Sequence, residues 1–259
     1  MVSTPSTRLP SLPAAHCNVG EHEVPIAEYA MGAMVSLTVG FARRDRELRQ
    51  GNWEGTGRRD GLPHQELAGR TLGLLGYGGI GVEIAKRARA FEMRIHAVKA
   101  TPKATNGGVQ PDWLGGPHQL KSLLESSDYL VVCCPLTAGT RDLLNALTLS
   151  WLRVGAYLVN VARAEVIEET PLFEALKSRR IAAAALDVWR QYPENAQQPL
   201  LPSTLPFHEL DNVLLTPHLS AWTESMLERR WRKIAANLDA LAEKRELQNV
   251  VSVNSPVSV

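Results

Sequence analysis

The stretch NVLLTPHLSAWT, residues 212–223, carries an apolar run into Thr216, Pro217 and His218, so a titratable ring stands where a buried segment surfaces. Three further apolar runs lead into CCPLT (133–137), NVARAEV (160–166) and LDVWRQYPEN (186–195), which place Arg163, Asp187, Tyr192 and Glu194 at comparable points. Histidine is the side chain best suited to carry a proton near neutral pH. Arginine presents a planar fork that matches a carboxylate. Taken singly, neither decides anything: a histidine at a strand end is often structural, and Arg163 could simply pair with Glu165 or Glu168.

A second constellation is GLLGYGGIG, residues 73–81, in which Gly76, Gly78 and Gly81 form G-x-G-x-x-G, with Tyr77, Gly79 and Ile80 between them. Between a strand and a helix each glycine does something different. Gly76 permits the tight turn, Gly78 lets a pyrophosphate approach the backbone, and Gly81 allows close packing of helix on strand. The helix N-terminus then faces the phosphates. About 20 residues beyond such a loop an acid usually accepts the ribose 2′-hydroxyl. Here AVKATPK stands there instead, with Lys99, Thr101 and Lys103. A lysine attracts a 2′-phosphate, which points to NADP over NAD; the plain alternative is a solvated loop with two lysines.

These residues need a scaffold, and the pattern around them supplies one. Apolar runs at 70–76, 94–98, 128–135, 156–162, 181–188 and 212–217 read as strands, separated by helical patterns at 81–92, 118–127 and 168–179. A long helix over 21–53 precedes the series, and a last one over 223–245 follows, with Ser225 and Glu228 spaced as a capping box. Short apolar strands alternating with helices predict an α/β fold, a Rossmann-type doubly wound parallel sheet covered on both faces. The expected organisation is a disordered segment over 1–16, a dinucleotide-binding domain over 17–250, and a tail over 251–259.

Composition narrows the partners. The chain has 259 residues, 44% of them hydrophobic, and 28 Lys plus Arg against 27 Asp plus Glu. So even a balance provides no basic field for nucleic acid or an anionic membrane, leaving a small soluble ligand as the expected partner. Its three cysteines, Cys17, Cys133 and Cys134, include two strand neighbours that point to opposite faces, which argues against a bridge and for a reducing, cytoplasmic location. Y-x-x-x-K, G-x-S-x-G, H-E-x-x-H and paired C-x-x-C motifs are absent from the sequence.

The glycine loop and the ordered PLT, ARA and TPH segments together resemble the nucleotide-binding domain of the D-isomer-specific 2-hydroxyacid dehydrogenases, over roughly residues 17 to 250. The resemblance implies NAD or NADP as cofactor and a 2-hydroxy or 2-oxo acid as substrate. By position, Arg163 matches the family's substrate-binding arginine, His218 its acid/base, and Asp187 the aspartate that holds the nicotinamide carboxamide. Pro135, within PLT, and Thr140 match the loop beside the nicotinamide ribose, and Val161, Ala162 and His218 complete the cofactor side of the cleft. It also implies a homodimer, because the helix near Pro25 forms a twofold contact in the family. IAEYAMGAMVSLTVGF is apolar around much of its circumference, and Met34 is the residue expected to test that contact.

The chain departs from the family pattern in three respects. The family places a glutamate before a proline to hydrogen-bond the histidine; here Tyr192 precedes Pro193, and a neutral phenol orients an imidazole without stabilising imidazolium as a carboxylate does. Glu194 either substitutes for it or is a solvated loop acid. Ala164 stands where the family has a glycine. The family's substrate domain, which precedes the long helix, has no counterpart in residues 1–16, implying a shortened chain or a cleft open on one side. The competing expectation is a non-catalytic dinucleotide-binding or sensing protein of the same descent.

Overall fold

The structure, a computed structural model, describes residues 20–53, 63–102, 108–195 and 197–249; Cys17, Lys103, the segment 1–16 and the tail 251–259 lie outside them. In chain order, α1 (Glu23–Val39) and α2 (Phe41–Arg49) precede β1 (Thr71–Leu75), α3 (Gly79–Ala90), β2 (Arg94–Val98) and β3 (Trp113–Gly115). Next come α4 (Leu120–Ser126), β4 (Tyr129–Val132), α5 (Ala146–Ser150) and β5 (Ala156–Asn160). The last four are α6 (Glu169–Lys177), β6 (Ile181–Leu186), β7 (Val213–Leu215) and α7 (Glu224–Ala242). Seven strands pair in the order β3-β2-β1-β4-β5-β6-β7, every pair parallel, which is the expected doubly wound sheet. Its order reverses between β1 and β4. Such a reversal opens a crevice at the carboxyl ends of the strands, because the helices leaving the two strands depart to opposite faces.

Continuous apolar runs allow both faces of each strand to be buried. Leu72, Leu74, Val131 and Val159 pack with α1 and α3, while Leu75, Leu130, Val132 and Leu158 pack with α4, α5 and α6. Neighbours in sequence thus feed opposite cores, as the two-residue strand period requires. Burying one such leucine contributes about 2 kcal/mol relative to exposure. Thr38 and Tyr129 share a hydrogen bond of 2.8 Å that ties α1 to β4.

Several boundaries differ from the sequence reading. The long helix over 21–53 is two helices, bent by 52° at Gly40, whose φ of 74° is left-handed and whose N–H caps Ser36 O. β3 is an added edge strand of three residues, too short for its alternation to register. α7 is capped by Thr223, which accepts the Met226 amide, so the predicted Ser225–Glu228 box is displaced and Glu228 pairs with Arg232. The sheet part of DYLVVCCP stops at Val132, leaving Cys133 and Cys134 beyond the strand as free thiols. α1 spends its apolar surplus inside the chain: Ala27, Ala30 and Met34 are fully buried against α3 and the sheet. Met34 is therefore a core residue, and its burial does not call for a second copy.

Candidate active site

The crevice between β1 and β4 is built by contact of backbone on backbone. Gly76 leaves β1 at a φ of 110°, and a Cβ there would lie 2.7 Å from Cys134 N and 2.8 Å from the Cys133 carbonyl carbon. No other residue fits that turn. A Cβ on Gly81 would meet Gly76 O at 2.6 Å, so α3 starts as close to β1 as the chain permits. By contrast, Gly78 is exposed with nothing within 4 Å, and no side chain caps the first turn of α3. Uncapped amides beside open space fit a dinucleotide pyrophosphate. Tyr77 turns its ring into the core and donates to Val109 O, leaving only its backbone to the loop. Ile80 lines the cleft. Lys99 follows β2, half exposed, with its amide on Gly115 O, and Thr101 is exposed beyond it.

His218 sits on a strained turn that the rest of the site holds in place. Its φ of 57° is left-handed, a conformation costing a non-glycine residue roughly 1–2 kcal/mol. Fully buried Asp187 compensates: Oδ1 accepts the Thr216 hydroxyl at 2.7 Å and the Leu219 amide at 2.9 Å, and Oδ2 accepts the Ser220 amide at 2.9 Å. Because Thr216 gives its proton to Asp187, the Tyr29 hydroxyl at 2.7 Å donates to Thr216. Burial pushes that phenol up to about 12, so it keeps its proton. The Thr216 carbonyl accepts both the His218 amide and the Trp189 indole N–H. Asp187 is thus engaged within the chain through both oxygens, a turn-building role that its expected carboxamide contact did not reveal.

Tyr192 supplies the group that faces the imidazole. Its hydroxyl accepts the Trp189 amide at 3.1 Å and lies 3.0 Å from His218 Nδ1. The hydroxyl can donate to an unprotonated Nδ1 or accept from Nδ1–H, so it holds the ring in either tautomer. Glu194 is exposed and makes no hydrogen bond to His218 among the described residues. The tyrosine, not the late glutamate, is the histidine's partner.

Arg163 forms no ion pair with Glu165 or Glu168 among the described residues; its Nη1 donates to Ala162 O at 2.7 Å. Asn160, missed in the sequence, shapes the turn by accepting the Ala162 amide and donating to Arg163 O. Its only signal was a polar residue ending an apolar run. Ala164 opens a short 3-10 turn, Ala164–Val166. Thr140 closes the PLT loop, donating to Pro135 O and accepting the Thr137 amide. Arg163, His218, Pro135, Val161 and Ala162 line one cleft of about 470 Å³, which also takes in Cys133, Cys134 and two residues the sequence did not flag, His22 and Arg230. Burial drives the Cys133 thiol far above its ordinary range and Cys134 up to about 11, which disfavours the thiolate at both.

A doubly wound sheet with a glycine loop at its switch point, and an arginine and a histidine at the ends of β5 and β7 on either side of β6, defines a nicotinamide dinucleotide-binding domain. The family model described as D-isomer specific 2-hydroxyacid dehydrogenase, NAD binding domain, matches residues 31–220, and the chain belongs to that family. It is 36% identical over 206 residues to a hydroxypyruvate reductase of Thermotoga maritima, the match taking in 79% of this chain and 62% of that protein. The chain therefore spans about three fifths of that relative's length. Among solved structures, a D-isomer specific 2-hydroxyacid dehydrogenase from Polaromonas sp. JS6 66 shares 29% identity, with a TM-score of 0.76 over 92% of this chain and 70% of that one. Another, from Xanthobacter autotrophicus Py2 in complex with NADPH and MES, shares 28% identity, with a TM-score of 0.74 over 95% and 94% of the two chains.

Proposed function

We propose that this chain carries the catalytic cleft of an NAD(P)-dependent 2-oxoacid reductase, running equally as a 2-hydroxyacid dehydrogenase. The observation that carries the reading is the juxtaposition of Arg163, which forms no ion pair among the described residues, and a Tyr192-held His218 in one cleft at the sheet's switch point. A nicotinamide cofactor supplies or accepts the hydride. Gly78 leaves room for its phosphates, on a turn that Gly76 and Gly81 allow to pack closely, Pro135, Val161 and Ala162 wall its nicotinamide end, and Lys99 favours a 2′-phosphate. Arg163 holds the substrate carboxylate in a fork and polarises the adjacent carbonyl. His218 delivers a proton to the carbonyl oxygen as the carbon is reduced, and takes it back in the reverse direction. Tyr192, 3.0 Å from Nδ1, holds the ring by accepting from Nδ1–H both when the histidine is charged and after Nε2 has given its proton to the carbonyl oxygen.

The similarity to a hydroxypyruvate reductase supports small 2-oxo acids as the first substrates to test. NADPH consumption with glyoxylate, hydroxypyruvate and pyruvate is the measurement. The second reading, a non-catalytic dinucleotide binder, draws on Tyr192 standing in place of a carboxylate; tight NADPH binding with no turnover of any 2-oxo acid would decide for it. A homodimer is supported by Phe41 and Leu48, exposed apolar residues of α2, rather than by the buried α1. The free thiols of Cys133 and Cys134 support a cytoplasmic location.

A further inference from the structure

The cleft offers more cationic and imidazole donors than one carboxylate needs. Besides Arg163 and His218 it is lined by His22 and Arg230, and no aspartate or glutamate is among the described residues lining it. Arg230 comes from α7, a helix remote in sequence from the strand ends that carry the chemistry. Two neighbouring arginines fasten that helix to the loop before α1: Arg229 Nε donates to Glu21 O at 2.9 Å, and Arg230 Nε donates to Glu21 Oε2 at 3.0 Å. Glu21 is only 1% exposed, and its Oε1 has no hydrogen-bond partner among the described residues.

The form of this pair matters more than its presence. A guanidinium that served only to neutralise a buried carboxylate would present two parallel N–H groups, one to each oxygen. Arg230 instead offers Nε alone, and its Nη groups make no hydrogen bond among the described residues. Its side chain remains 31% exposed, while the Glu21 side chain is at 0%. The buried carboxylate takes Nε, while Arg230 itself is among the residues that line the cleft.

We propose that Arg230, positioned by Glu21, is a specificity residue that holds a second anionic group at the far end of the substrate, so that the cleft selects 2-oxo acids bearing a distal carboxylate or phosphate over those with one carboxylate. This rests on the 2-oxoacid reductase reading. Arg163 takes the carboxylate next to the reacting carbon in either class, and Arg230 contacts only the longer, dianionic one.

The test compares kcat/KM for oxaloacetate and 3-phosphohydroxypyruvate with that for glyoxylate and pyruvate, in the parent chain, in Arg230→Ala and in the double variant Glu21→Gln with Arg230→Gln. The double variant is needed because Arg230→Ala strands a buried charge and could fail to fold. The parent is expected to favour the dianions, and both variants to lose roughly 10- to 100-fold on them with glyoxylate changed less than about twofold, the loss expected of one charge-assisted contact. Preference for phosphate over carboxylate, or the reverse, names the distal group. A parent that reduces glyoxylate but shows no dianion preference, or variants that lose both classes equally, overturns the inference and leaves the reductase reading intact. Weaker NADPH binding with an unchanged substrate ratio also overturns it, assigning Arg230 to the cofactor. Binding without turnover is read from quenching of NADPH fluorescence by oxamate against tartronate. If no 2-oxo acid is reduced and neither analogue binds, the reductase reading falls and the inference with it.

Discussion

Asp187 builds the turn that carries His218 without touching the ring: its two oxygens accept the amides of Leu219 and Ser220, the residues that follow the histidine. Asp187→Asn keeps the volume but turns one acceptor into a donor that faces an amide N–H. The expected outcome is a kcat lowered by roughly 10-fold or more, a loss of stability of about 1–3 kcal/mol, and NADPH affinity nearly unchanged. Urea melts with a cofactor titration check it. An affinity that collapses while stability holds would return Asp187 to the carboxamide.

Replacing Tyr192 separates orientation from charge. Tyr192→Phe removes the partner of Nδ1 and should reduce kcat by about 10-fold, the order expected when a general acid loses its orienting bond. Tyr192→Glu places a carboxylate beside the ring, which favours imidazolium. Reduction needs the protonated ring, so the upper pH limit of reductase activity should move to higher pH in the glutamate variant. Identical pH profiles for parent and glutamate variant would remove Tyr192 from the proton path.

His218→Gln should lower kcat by roughly 10² or more with little change in dinucleotide affinity, because the ring acts on the substrate oxygen. Arg163→Ala should damage kcat and KM together, since anchoring and polarisation are lost at once. Steady-state kinetics on hydroxypyruvate distinguishes the two patterns.

Cofactor choice rests on Lys99. NADPH should bind more tightly than NADH, and Lys99→Asp should reverse the order, a charge-assisted contact to phosphate contributing on the order of 1 to 3 kcal/mol. Equal affinities in both proteins would show that the lysine only decorates the loop.

His96 gives the fold a pH dependence of its own. Burial lowers its titration, with smaller opposing and reinforcing effects from Asp112 and Arg94, and its Nδ1 lies 2.8 Å from Ser126 Oγ. The unfolded chain takes up a proton near pH ~6.5 while the folded one resists it, so the stability tied to His96 is present above that pH and is lost as the pH falls below it. Melting temperature should therefore drop between pH 7.5 and 5.5 by less in His96→Gln than in the parent.

The strands and the glycine loop were legible because each is local: apolar runs and turn residues carry their own signal. Arg163 and His218 were legible because both leave strand ends, where such folds bind ligands. The Gly40 break was not, since a glycine inside an apolar helix gives no sign of which backbone basin it will take. Nor was the work of Asp187, Thr216 and Tyr29, joined over 187 residues of sequence in the Tyr29–Thr216 bond. Arg230 is one of several basic residues in ERRWRK with nothing to set it apart, and only the fold shows that it lines the cleft. Met34 misled because an apolar circumference means burial without saying by what.

The parallel arrangement of the strands has one more effect. Every cleft residue that leaves a strand does so at the carboxyl rim, whereas the opposite rim carries bonds of another kind: Asp128 accepts the Thr71 amide and pairs with Arg153, and Arg180 donates to Ser150 O and Leu152 O. The two rims answer to different pressures. Substitutions at the entry rim are expected to change stability and leave the cleft untouched, whereas those at the exit rim, as at Asp187, are expected to change stability and the cleft together.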